Sequence, residues 1–135
     1  METSMARSDI VDNYMSTELV TFAPDFDVHR AIKVLLARGI SGAPVVNGSG
    51  KLVGILTKRD CLKLAFSASY HKEWAGKVSE YMTRDVEAVE AGTDIVEVAE
   101  LFLAKSFHRF PVMRNDRLVG VITRHDILQA LDKLW

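Results

Sequence analysis

The chain states one pattern twice. Val11, Tyr14 and Met15 return in the same order and spacing as Val78, Tyr81 and Met82. Leu36-Ala37-Arg38 returns as Leu103-Ala104-Lys105, and Pro44-Val45 as Pro111-Val112. Leu52-Val53-Gly54-Ile55-Leu56-Thr57 returns as Leu118-Val119-Gly120-Val121-Ile122-Thr123, and Asp60 as Asp126. The register is constant up to a hairpin turn, where the second copy is one residue shorter. So many ordered matches are hard to produce by chance, and an internal repeat dictates the architecture before any other feature is considered. Each copy is too small to bury its sheet well, and two copies can cover each other, packed sheet to sheet about a pseudo-twofold axis.

Each copy reads as strand, helix, strand, strand, helix. A short helix ends near Met15 or Met82, and a brief strand is expected at residues 19–22 or 86–89. Asp27 and Asp94 suit helix N-caps, because a carboxylate accepts the free N–H groups of a first turn. Behind them Val28, Ala31, Ile32, Leu35 and Leu36, and likewise Ile95, Val98, Ala99, Phe102 and Leu103, recur at helical spacing and predict a core-facing stripe. A hairpin follows. In the first copy its arms are residues 43–46 and 52–56, and Gly48 and Gly50 supply the positive φ angles of the turn. In the second copy Asn115-Asp116 makes the turn. A final helix is expected to start at Asp60 or Asp126. The boundaries are an N-terminal extension at 1–10, repeat 1 at 11–66, a helix end and turn near Gly76 at 67–77, and repeat 2 with its C-terminal helix at 78–135. Within the connecting segment Phe66, Tyr70 and Trp74 recur at four-residue spacing, as on one helix face. Core packing between the repeats is the favoured role for that stripe, a partner-docking surface the lesser one. The fold class is α+β, two βαββα units.

Composition narrows the function. A 135-residue chain with a net charge of −1 has no global field to draw in nucleic acid, and no helix composition supports such a role. No apolar run approaches the roughly 20 residues of a membrane span. Residues 1–9 are polar and lack the apolar core of a signal peptide. The lone Cys61 cannot form an internal disulfide, which is compatible with a reducing compartment. The expectation is a soluble cytoplasmic protein.

The densest motif is Gly-Ile-Leu-Thr-Lys-Arg-Asp at 54–60, echoed by Gly-Val-Ile-Thr-Arg-His-Asp at 120–126. Glycine, two apolar residues, threonine, two variable residues and aspartate resemble the signature of CBS domains, named after cystathionine β-synthase. The pattern is weak alone. It is strong when it occurs twice, each time after a Pro-Val strand. The resemblance covers roughly residues 10–131. It implies a tandem pair, or Bateman module, with two clefts that commonly take AMP, ADP, ATP or another adenosyl ligand. It also implies association of two modules into a flat disc, here a homodimer formed through the helices.

The chemistry of the motif supports the same reading. An ionised aspartate accepts hydrogen bonds only, and two neighbouring ribose hydroxyls can both donate to it. A threonine three residues earlier brings a hydroxyl to the same spot, and a helix start favours phosphate. The alternative is that each aspartate merely caps its helix, and two intact copies favour ligand contact. By resemblance, one cleft pairs Thr123, His125 and Asp126 with Leu19, Val20, Thr21, Ile40, Ser41, Gly42 and Pro44. The other pairs Thr57, Arg59 and Asp60 with Val86, Glu87, Phe107, His108, Arg109 and Pro111. His108-Arg109 resembles the phosphate-contacting His-Arg pair in the γ subunit of AMP-activated protein kinase, and arginine's rigid fork of donors suits phosphate. Ser41-Gly42 is small and neutral at the matching place. Glu87 opposes phosphate unless it points away or meets ribose. Lys58 and Arg124 are as readily solvated as ligand-bound, whereas Arg59 and His125, next to the aspartates, lean towards the ligand.

Other chemistries find little support. No nucleophile motif surrounds Cys61, which reads as a core residue. His29, His71, His108 and His125 lack metal spacing, and no GKS-type phosphate loop is present. The expectation is therefore a non-enzymatic regulatory module with no catalytic residue, metal or catalytic cofactor. An adenine nucleotide serves as its regulatory ligand, and it acts on a separate regulated protein that the sequence does not name. The competing reading is a structural dimerisation module whose clefts stay empty.

Overall fold

The two leading segments, residues 11–16 and 78–83, each pack away from their own hairpin. In the computed structural model, which describes residues 9–71 and 75–134, one compact unit contains residues 9–19 and 87–134 and the other Val20–Val86. The spatial units therefore cut across the sequence repeats. In the first unit Val11 donates its amide to Thr93 O at 2.8 Å, and Ser16 exchanges backbone bonds with Val121 at 2.9 and 3.0 Å. In the second, Val28 N reaches Gly76 O at 3.0 Å, and Thr83 exchanges two 2.9 Å bonds with Ile55.

The Val20–Val86 unit contains α1 (Val28–Arg38), β1 (Gly42–Val46), β2 (Leu52–Thr57), α2 (Lys58–His71) and α3 (Val78–Tyr81). Asp27 caps α1 by accepting the Arg30 amide at 2.9 Å, and Gly39 ends it in the left-handed region at φ 64°. That φ costs a residue without a Cβ nothing. β1 and β2 pair antiparallel from Gly42↔Thr57 to Val46↔Leu52, with a bulge between Val45 and Val46. At the turn the Asn47 side chain accepts the Ser49 and Lys51 amides at 2.9 and 3.0 Å. Of the two turn glycines, Gly50 alone takes a positive φ, 83°. Phe22, Val28, Ala31, Leu35, Val45, Leu56, Leu64, Val78 and Met82 form the core.

The other unit has a 3-10 turn (Val11–Asn13), β3 (Val89–Glu90), α4 (Ile95–Ala104), β4 (Arg109–Arg114), β5 (Arg117–Thr123) and α5 (Arg124–Leu134). Asp94 caps α4 through the Val96 amide at 2.7 Å. β4 and β5 pair from Arg109↔Thr123 to Arg114↔Arg117, bulged between Val112 and Met113. Asn115 and Asp116 turn the chain at φ 52° and 63°, the geometry of a two-residue hairpin loop. Val11, Ile95, Val98, Phe102, Phe110, Val112, Ile122 and Ile127 form its core, with the Phe102 and Phe110 rings 4.6 Å apart.

Several expectations change. The strand expected at 19–22 is reduced to one parallel bridge, Phe22↔Val45, and the one expected at 86–89 begins only at Val89 and ends at Glu90. The final helices start at Lys58 and Arg124, two residues before the aspartates, because each aspartate caps from inside the first turn. Leu36 and Leu103 close the expected stripes yet are 67% and 89% exposed. Phe66 is exposed rather than core, while the Tyr70 side chain and Trp74 lie outside the described residues. No described helix is long and apolar enough to cross a membrane.

Candidate functional site

Both Thr-x-x-Asp motifs sit where a strand passes into a helix, at the end of β2 and of β5. Locally they fold alike. Asp60 Oδ2 accepts the Thr57 amide at 2.9 Å, and Thr57 Oγ1 accepts the Asp60 amide at 3.1 Å. Asp126 Oδ2 accepts the Thr123 amide at 3.0 Å, and Thr123 Oγ1 accepts the Asp126 amide at 3.2 Å. These reciprocal bonds satisfy donors that a helix start leaves orphaned, so the capping role is real in both copies.

The surroundings of the two carboxylates differ. Asp60 is 5% exposed. It also accepts the Thr57 hydroxyl at 2.9 Å, and the Thr83 hydroxyl at 3.2 Å on Oδ1 and 3.3 Å on Oδ2. Asp126 is only half-buried, and its Oδ2 accepts one hydrogen bond from Thr123, that of the amide. Its electrostatic neighbour is Arg109, directly opposite Thr123 in the strand register. Burial draws the Arg109 guanidinium below its usual pKa, and the Asp126 carboxylate opposes that shift. The charge on Arg109 persists at any physiological pH, because arginine titrates so far above neutrality.

The entrance loops lie beside the motif of their own repeat. Lys58 N donates to Ser41 O at 2.8 Å, and Gly42 pairs with Thr57. Arg124 N donates to His108 O at 3.4 Å, and Arg124 Nε to Phe107 O at 3.1 Å. Within single units the structure brings Arg109 to Asp126 and Ser41-Gly42 to Thr57, because the hairpin register delivers each entrance to its own strand end.

The other expected residues are spread around these corners. Ile40 is half-buried against the core, and Phe107 meets Phe110 edge-on at 5.8 Å. Pro44 and Pro111 are buried inside β1 and β4. Arg59 and His125 are exposed in the first turns of α2 and α5. Leu19, Val20 and Val86 are half-buried and Thr21 is exposed. Glu87 forms an ion pair with Lys105 at 3.3 Å, which offsets the negative charge that argued against phosphate. Lys105 was not anticipated, nor were Thr83 and the two methionines. Met15 packs on Gly120, and Met82 on Gly54, where an added Cβ would come within 2.6 Å of its sulfur. The repeated Tyr-Met pairs were the available signal, and they explain why the motif begins with glycine. Among the described residues no group of His, Cys, Asp and Glu side chains could hold a metal.

The CBS domain profile matches residues 8–67 and 78–133. The chain belongs to the CBS domain family. This CBS pair is 30% identical over 130 residues to the protein MJ1225 of Methanocaldococcus jannaschii, an alignment covering 96% of this chain and 45% of that one. The chain thus spans less than half the length of that curated relative. Among solved structures it resembles CBSX2 in complex with AMP (TM-score 0.81, 26% identity, covering 93% of this chain and 97% of that one). CBSX2 is from Arabidopsis thaliana. It also resembles the CBS domain pair of MJ0100 in complex with 5-methylthioadenosine and S-adenosyl-L-methionine (TM-score 0.78, 27% identity, covering 93% and 97%). The fold is the mixed helix-and-strand tandem repeat of CBS-pair proteins.

Proposed function

We propose that this CBS pair is a regulatory module that binds AMP, ADP, ATP or a related adenosyl ligand and signals to a separate protein without catalysing a reaction. The observation that carries the reading is the Asp126 corner. It couples a half-buried carboxylate, suited to a diol, with a guanidinium suited to phosphate in the same unit. The adenosyl compounds held by CBSX2 and MJ0100 support that ligand class. Arg109 and Asp126 are the central contacts, with Phe107, His108, Thr123 and His125 around them. A cytoplasmic setting fits the free, buried thiol of Cys61.

Calorimetric titration with AMP and adenosine tests this directly. Hydrogen bonds to a charged group contribute about 1.5–3 kcal/mol, so Asp126→Asn should weaken AMP binding about tenfold or more. Arg109→Ala should weaken AMP more than adenosine, because adenosine carries no phosphate. Unchanged affinity in Asp126→Asn would sink the assignment, and equal losses for both ligands in Arg109→Ala would remove its phosphate role.

The structural alternative draws support at the other corner, where Asp60 is already engaged by protein donors. Assembly belongs to both readings. Leu36 and Leu62 on α1 and α2, and their repeat equivalents Leu103 and Leu128 on α4 and α5, are exposed. We propose that a second copy covers these paired faces in a homodimer. Sedimentation as a 15.1 kDa monomer at micromolar concentration would overturn this.

A further inference from the structure

We infer that the Thr83 hydroxyl is a built-in occupant of Asp60, standing where a ligand hydroxyl would bind, so that the Asp126 corner fills first. This rests on the adenosyl-binding reading above. An ionised carboxylate offers about four acceptor positions. Asp60 gives two of them to Thr57, through its amide and its hydroxyl, both at 2.9 Å. The Thr83 proton is shared between the two oxygens at 3.2 and 3.3 Å. With Asp60 5% exposed, the carboxylate is closed to an incoming diol until Thr83 withdraws.

The withdrawal is local. The backbone of Thr83 is held by two 2.9 Å bonds to Ile55, so a rotation about χ1 is enough to release the hydroxyl. The bond being broken is shared and long, whereas a diol brings two donors. The contact therefore tunes occupancy rather than abolishing it.

The repeat supplies an internal control. Ser16 stands where Thr83 stands, and its backbone is held by the same exchange with Val121, at 2.9 and 3.0 Å. Yet the Asp126 carboxylate accepts the Thr123 amide, its own amide donates to Thr123 Oγ1, and Ser16 is exposed. One methyl group separates the two residues. A β-branched threonine has fewer accessible χ1 states than serine, so holding its hydroxyl on the carboxylate costs less conformational freedom. The difference between an occupied and an open carboxylate thus follows from Thr83 against Ser16.

The test isolates the Asp60 corner in an Asp126→Asn background and measures AMP affinity by calorimetry. Adding Thr83→Val, which keeps the shape and removes the hydroxyl, should tighten residual AMP binding about tenfold, the equivalent of one hydrogen bond to a charged group. Adding Thr83→Ser should change it less. Without ligand, Thr83→Val should lower the melting temperature while Ser16→Ala leaves it unchanged. If the wild-type chain binds AMP but Thr83→Val leaves the residual site unchanged or weaker, the inference fails and the ligand reading stands. If no form binds any adenosyl compound, the ligand reading fails and takes this inference with it. Should Thr83→Val not fold, Ser16→Thr carries the test at the other corner. Several-fold weaker AMP binding there supports the inference, and unchanged binding overturns it.

Discussion

The corner at Asp60 and the corner at Asp126 are built from the same seven-residue motif and end in different surroundings. At the first, the carboxylate is buried, and its partners are Thr57 and Thr83. At the second it is half-buried and faces Arg109. The difference arises outside the motif, at Thr83 against Ser16 and at Gly42 against Arg109. Packing reinforces it: a Cβ at Gly42 would meet Leu56 O at 3.0 Å and Thr57 Cα at 3.3 Å, so a side chain there requires the neighbouring backbone to give way slightly. A duplicated motif thus guarantees a duplicated backbone corner. Its charge balance depends on neighbours that need not be duplicated.

The comparison breaks most readily on stability. Asp60→Ala strips a buried acceptor from three donor groups and should cost about 3 kcal/mol in urea denaturation. Asp126→Ala removes a capping carboxylate and should cost about 1 kcal/mol. Equal losses would mean that the two carboxylates do the same structural job.

The glycines sharpen it next. Gly54→Ala drives a Cβ against Met82 and against the Thr83 carbonyl oxygen at 2.9 Å, which is backbone and must move. Gly120→Ala meets the flexible Met15 side chain and the Ser16 oxygen at 3.1 Å. Overpacking costs typically about 1–3 kcal/mol, so Gly54→Ala should lie near 2 kcal/mol and Gly120→Ala nearer 1 kcal/mol. Melting curves of the two variants test the order, and a reversed order would show that the methionines adapt in the opposite sense.

The smallest effect is the pH dependence contributed by Cys61, next to Asp60. Burial pushes its thiol up to about 11 from 9.0, with the Asp60 carboxylate adding to the shift. The folded chain therefore holds a proton that the unfolded chain releases. Any stability this contributes is fully present below pH 9.0 and is lost progressively as pH rises towards about 11. Replacement by isoleucine, the residue at the matching position 127, should flatten the fall in melting temperature over that window. In the native protein a thiol reagent at neutral pH should react with Cys61 only slowly, because the nucleophile is the thiolate.

The repeat, the two helix caps, the hairpins and the Thr-x-x-Asp corners were legible in the chain because each depends on neighbours close in sequence. Asp27 reaches an amide three residues on, and Asn115-Asp116 turns on its own φ angles. The brief strands were not legible. Among the described residues Phe22 bridges to the distant Val45 and Val89 to the distant Val112, so local apolar character overstated their length. The apolar stripes of α1 and α4 were wider than the face the core covers, which is why Leu36 and Leu103 lie outside it.

What the sequence determined by itself is a CBS pair with two backbone corners, since capping, turns and periodicity act over a few residues. The tertiary structure alone decided which groups meet at those corners. Hydrogen bonds and ion pairs form between atoms a few ångströms apart whatever their separation along the chain. Thr83 reaches Asp60 across 23 positions, and the strand register carries Arg109 to Thr123 and Asp126.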